Sequence, residues 1–298
     1  GTLPPEWRAM TNMEVFYLFQ NELTSTLPAE FGNWSKVWDL QLYENRLQGT
    51  LPPEWRAMTD LERFYVHKNS LTGTLLADYG NWSKIWDLRL HENRLQGSLP
   101  PEWSAMTDLE IFYLEKNKLT GTLPAEYGEW TKVWDLHLFE NRLQGTLPAK
   151  WSSITAMERF YVFTNDLTGT LPAGFGDWSK VWDLRLHENR IQGTLPPEWS
   201  AMIKMEILHL EKNELTGTLP AGFSNWSKIL DFRLQENRLH GTLPPEWSAM
   251  TEMEVFNLEK NVLTGTLPAG FGNWSKVQDL RLYENQLQGS LPPEWSAM

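Results

Sequence analysis

Cysteine is absent from the 298 residues. No disulfide, thiolate metal site or cysteine nucleophile can therefore be built from this chain. No run of residues approaches the roughly 18 apolar positions that span a bilayer, so no direct membrane insertion is expected. Basic residues are in deficit: 26 Lys+Arg stand against 38 Asp+Glu, a formal net charge of -12. That argues against nucleic acid, or an anionic membrane, as the main partner, since both demand a basic surface. Signal-peptide and lipid-anchor patterns are missing, as are G-x-S-x-G, P-loop and dinucleotide fingerprints. Carboxylate pairs are abundant, but they arise by repetition and imply no acid–base couple. The expectation is a non-enzyme with no cofactor.

What the chain has is repetition. Asparagine recurs every 24 residues, at Asn21, Asn45, Asn69, Asn93, Asn117, Asn141, Asn165, Asn189, Asn213, Asn237, Asn261 and Asn285. Each unit reads roughly L-x-x-L-x-L-x-x-N-x-L-x-G-x-L-P-x-x-W, as in LEIFYLEKNKLTGTLPAEYGEWTK from Leu109 to Lys132. The L-x-x-L-x-L segment predicts a short strand, with alternate residues on opposite faces. Phe112 and Leu114 should point inward, and Ile111, Tyr113 and Glu115 outward. Gly49, Gly97 and their equivalents suit a turn of positive φ or close approach. The following Leu-Pro starts an extended outer segment, and most of the 17 tryptophans should fill the layer behind it. Leu76 for Pro and Ser25 for Gly should each loosen an outer turn.

This pattern resembles the leucine-rich repeat, and L-x-G-x-[IL]-P resembles its plant-type 24-residue subclass. The resemblance implies a leucine-rich repeat solenoid: a curved array of about twelve repeats, with a parallel β-sheet on the concave face and extended or 3-10 segments on the convex side. It also implies that each motif asparagine bonds the backbone of its own unit and the next. The stretch GTLPPEWSAMT narrows the likeness to kinetoplastid promastigote surface antigen repeats, which implies a cell-surface or secreted recognition role. The chain is expected to be one array over residues 1–298, built on a 48-residue double repeat. It begins in GTLPPEWRAM and ends in GSLPPEWSAM, as a fragment of a longer array without terminal caps would.

Five strand positions per unit are free to vary, and an array reads its partner there. They hold 21 of the 38 acidic and 10 of the 26 basic residues, which suggests steering toward a protein with a cationic patch. Aromatic and cationic residues share this face: Tyr17, Tyr43, Arg63, Tyr65, His67, Arg89, His91, Tyr113, His137, Phe139, Tyr161, Phe163, Arg185 and His187 are the candidate protein-binding residues. Neighbouring strands should set Tyr65 beside Arg89 and Tyr161 beside Arg185, within cation–π reach. Such ladders serve either as cross-strand pairs or as a binding surface. His67 and His91 share a column and could approach one metal ion, but no complete ligand set is evident, and solvated histidines are expected. Trp38, Trp86, Trp134 and Trp182 either cap the sheet edge or widen the aromatic surface. Four sequons make Asn33, Asn81, Asn225 and Asn273 glycosylation candidates off the strand face. A self-assembling surface coat, stacking end to end, and an intracellular scaffold in the cytoplasm stand as alternatives to extracellular recognition.

Overall fold

The computed structural model describes residues 1–297. The chain forms two compact units, Gly1–Gln144 and Gly145–Met298. Each carries six three-residue parallel strands, one per 24-residue repeat. In the first unit the register is unshifted, pairing Phe16, Leu40, Phe64, Leu88, Phe112 and Leu136 in turn. In the second unit Phe160, Leu184, Leu208, Phe232, Phe256 and Leu280 pair in the same way. These are the inward side chains of the strands, and all but Leu280 are buried. An identical repeat length gives identical register, so every apolar position stacks on its own copy.

Beyond each strand the chain turns through a residue in left-handed conformation, from Gln20 (φ 55°) to Glu284 (φ 53°). All twelve are non-glycine residues. The next residue is the motif asparagine. Asn93 Nδ2 donates to Val66 O (3.0 Å) and Leu90 O (3.1 Å), and its Oδ1 accepts from Leu71 N–H (3.0 Å). Asn45, Asn117 and Asn237 repeat the pattern. The ladder therefore exists, but it bonds its own unit and the preceding one, not the next. Only an amide can donate twice and accept once within so small a volume.

Glycine follows where the side of the coil turns outward. Gly97 has φ 81°, and a Cβ there would lie 2.9 Å from Thr74 Cγ2. The expected loosening at the two departures is not found. Leu76 keeps the extended conformation of the prolines at φ -95° and ψ 124°, and its carbonyl still accepts from Trp103 Nε1 at 2.9 Å. Ser25 avoids positive φ, and its Oγ accepts from Leu3 N–H at 3.0 Å.

The outer segments are five-residue 3-10 turns such as Pro53–Ala57 and Ala77–Asn81. Proline sets up these turns by fixing the extended backbone before them, with Leu76 in its place before Ala77–Asn81. Behind them the layer is aromatic. Trp55, Trp82, Trp103 and Trp130 have no exposed surface. Their indole N–H groups form a second ladder, each reaching a carbonyl 27 residues back: Trp55 to Pro28 O (2.8 Å), Trp82 to Trp55 O (3.1 Å) and Trp130 to Trp103 O (3.1 Å). Tyr79 and Tyr127 use their hydroxyls in the same way, on Pro52 O and Pro100 O. Tryptophan thus fills the layer and satisfies backbone carbonyls that burial would otherwise strand.

Candidate functional site

The candidate site is the strand face, where the side chains between the inward residues gather in columns. It is less open than alternation predicts. Ile111 is 8% and Glu115 7% exposed, so neither faces solvent freely. Only Tyr113 of that trio is partly accessible. Strands lie about 4.8 Å apart, so long side chains on one face cover one another.

The central column is built on buried aspartates. Asp39, Asp87, Asp135 and Asp183 are at most 1% exposed. Asp87 accepts from Tyr65 Oη at 2.6 Å and from Arg89 through Nε and Nη2, both at 2.8 Å. Asp183 repeats this with Tyr161 (2.5 Å) and Arg185 (2.8 and 2.9 Å). Tyr17 donates to Asp39, and Tyr113 to Asp135. Arg63 closes on Asp39 at 2.6 Å. The expected cation–π pairs are present as well, with Arg89 lying 4.9 Å from Tyr65 and 5.1 Å from Tyr113, and Arg185 5.0 Å from Tyr161. Burial and the Asp hydrogen bonds hold the Tyr65 and Tyr161 phenols well above their usual range. Tyr17, Arg63, Tyr65, Arg89, Tyr113, Tyr161 and Arg185 are therefore engaged in cross-strand pairing within this face. The strand-face carboxylates do not form a uniformly acidic surface, because the aspartates are internal and matched.

A second column is an aromatic stack. Phe19 and Tyr43 lie 4.6 Å apart, Tyr43 and His67 4.5 Å, and His67 and His91 4.2 Å, all nearly parallel. Phe163 stacks on His187 at 4.3 Å, and in the adjacent column Tyr113 stacks on His137 at 4.2 Å. Phe139 is half-buried and leans toward His137. The histidines are not solvated. Burial pushes His67 down to about 4, His91 to about 3 and His187 to about 4, so all three are neutral at pH 7. Burial likewise pushes Glu115 up to about 8. Several polar atoms here are buried without a hydrogen-bond partner, among them His67 Nδ1, His91 Nδ1, His187 Nδ1 and Glu211 Oε2.

One margin of the face carries an alternation that reading the columns one residue type at a time conceals. Glu14, Trp38, Glu62, Trp86, Glu110 and Trp134 follow one another at 24-residue steps. Comparing adjacent units position by position would have exposed it. The four tryptophans of this column, continuing to Trp182, are half-buried. Arg63 sits 5.2 Å from Trp38 and 5.8 Å from Trp86. Beside Trp86 a groove of about 510 Å³ is lined by Glu62, Lys84, Trp86, Asp108, Glu110 and Lys132. Both lysines are already paired, Lys84 with Asp60 and Lys132 with Asp108, each at 2.6 Å. Glu62 and Glu110 remain as the acidic walls on either side of the indole.

Asn33, Asn81, Asn225 and Asn273 close the 3-10 turns and are exposed. Among the described residues no helix is long and apolar enough to cross a membrane.

Comparison with known proteins agrees with this architecture. The Leucine Rich Repeat family model matches residues 204–226. The plant peptide hormone receptor RGFR1, solved in complex with RGF2, is similar over 99% of this chain and 51% of its own, at 26% identity and a TM-score of 0.90. A TDR receptor superposes over 99% of this chain and 52% of its own, with 24% identity and a TM-score of 0.92. The leucine-rich repeat protein LIC12759 of Leptospira interrogans covers 99% of this chain and 72% of its own, with 28% identity and a TM-score of 0.79. No curated protein matches by sequence. The chain spans about half the length of the two receptor chains. The fold is a leucine-rich repeat solenoid.

Proposed function

We propose that this chain is a non-catalytic recognition array that binds a peptide or protein segment across its strand face, as a cell-surface or secreted protein. The similarity to RGFR1, a receptor solved with the peptide hormone RGF2, supports a peptide or protein ligand. The observation that carries the reading is the groove at Trp86. An indole face between Glu62 and Glu110, beside lysines already neutralised, suits an arginine or lysine of the partner. Cation–π attraction and a charge-assisted hydrogen bond would act together there. The attraction to a cationic partner is thus assigned to this margin, not to the acidic total of the face. Tyr43 and Phe139 then serve as flanking apolar contacts.

Selection of a displayed library of short peptides against the chain tests the reading. Enriched peptides should share a basic residue, and their affinity should fall at least about 10-fold in Trp86→Ala and in Glu62→Gln/Glu110→Gln. Binders that lack a basic residue and are indifferent to both variants would sink the assignment.

A further inference from the structure

The second unit carries a cluster that the proposed peptide groove does not use. His187, His209 and Glu211 each offer a ligand atom, and the three atoms lie within 4.8 Å of one another. His209 is 7% and Glu211 8% exposed. Oε2 of Glu211 and Nδ1 of His187 are buried with no hydrogen-bond partner. Leaving buried polar atoms unpaired is costly. We propose that His187, His209 and Glu211 form a binding site for a divalent transition-metal ion of the zinc type.

The chemistry fits the donors. Two imidazoles and one carboxylate are the three-ligand set that zinc accepts while keeping a fourth position open. Ligands about 2.0–2.2 Å from a tetrahedral ion stand about 3.3–3.6 Å apart, a small side-chain rotation from the arrangement seen. The backbones that carry them are hydrogen-bonded to one another. Strand 183–185 pairs with strand 207–209, placing Arg185 opposite His209, and Glu188 N–H donates to Glu211 O at 3.0 Å. Asp231 Oδ2 lies 3.0 Å from His209 Nε2, a charge contact without hydrogen-bond geometry. The two nearest guanidiniums are each held by an aspartate, Arg185 by Asp183 at 2.8 Å and Arg233 by Asp231 at 2.7 Å. Their charge is largely cancelled before it reaches the cluster.

Ring geometry separates this cluster from the histidines of the first unit. His67 and His91 are stacked at an interplanar angle of 14°, so their in-plane lone pairs run side by side and do not converge. His187 and His209 are inclined at 66°, with centroids 5.7 Å apart, so lone pairs in their two planes can meet at one point. At the position 96 residues before His209 stands Tyr113, and the first unit has no equivalent trio among the described residues.

Titrating zinc chloride into the chelator-treated chain, followed by calorimetry, decides the matter. One ion per chain is expected. Glu211→Gln and His209→Ala should each weaken binding on the order of 100-fold, with His240→Ala, on the exposed outer side, unchanged. Thermal melts of the apo variants show whether they fold. If Glu211→Gln does not fold, Glu211→Asp must show weaker zinc binding with its fold intact. Cobalt(II) in place of zinc should give ligand-field absorption in the wild type that Glu211→Gln or Glu211→Asp lacks. Absence of zinc binding, or binding that survives loss of Glu211 and tracks His67 and His91 instead, would overturn the proposal.

Discussion

At the scale of the residue, the motif asparagine is the most demanding position. It was legible because a polar side chain recurs without exception at twelve places. The direction of its bonds was not legible, since sequence spacing is symmetric between the preceding and following unit. The structure permits a graded test. Asn93 is 8% exposed and serves four backbone groups. Asn21 is exposed, and its amide bonds only Leu18 O and Phe19 O of its own unit. Asn93→Ala strands buried donors and acceptors and should cost about 3 kcal/mol. Asn21→Ala should cost under about 1 kcal/mol. Urea denaturation of the two variants measures the difference, and equal losses would remove the case for a cooperative ladder.

At the scale of the element, alternation along the strand correctly named the residues of the face but not their exposure. Period-2 patterning says which side a side chain leaves the strand. It says nothing about how closely its copies on the next strands cover it. That lateral crowding converts predicted solvated histidines into a stacked, neutral column, and it predicts acid lability. His91 is pushed to about 3 by burial, by its neighbours His67 and His137, and by the charges of Arg89 and Lys68. In the unfolded chain it titrates near its ordinary value of 6.5. Between those values the unfolded state binds more protons, so stability is full above about pH 6.5 and is lost as pH falls toward 3. Glu115, pushed up to about 8, acts with the opposite sign, favouring the fold below about pH 4.5 and withdrawing that support as pH rises to 8. Replacing His91 by phenylalanine, which Phe19 shows the column accepts against Tyr43, isolates the first effect. His91→Phe should lose less thermal stability than the wild type between pH 7 and pH 5, read by circular dichroism melts at both pH values. Parallel losses would mean that His91 does not titrate in this window.

At the scale of the whole molecule, the 48-residue period was visible as a duplicated phrase, and the structure supplies its physical reason. The Trp55 position reads Phe31, Trp55, Tyr79, Trp103 and Tyr127, while the position three residues later reads Trp34, Met58, Trp82, Met106 and Trp130. Each coil thus holds one tryptophan at one or other of these two positions, in alternation. Trp34 stacks on Phe31 at 4.0 Å, and Trp82 on Tyr79 at 4.0 Å. Beneath them the inward strand residue alternates Phe16, Leu40, Phe64, Leu88, Phe112 and Leu136. In the first unit large packs against small at every step, whereas the second unit sets Leu184 beside Leu208 and Phe232 beside Phe256. Deleting residues 61–84 removes one unit and brings two like units together. Leu40 would then face Leu88, Trp55 would face Trp103, and the carbonyl of Trp55 would lose the indole of Trp82 that it now binds at 3.1 Å. Deleting residues 61–108 removes twice as much chain yet keeps the alternation, because Leu40 meets Phe112, and Trp55 meets Tyr127 and Trp130. In an array whose stability is a sum of units and their interfaces, the shorter deletion should therefore lower the melting temperature more than the longer one, and expose dye-binding apolar surface that the longer one does not. A larger loss from the longer deletion would show that repeat number, and not the large–small alternation, governs stability.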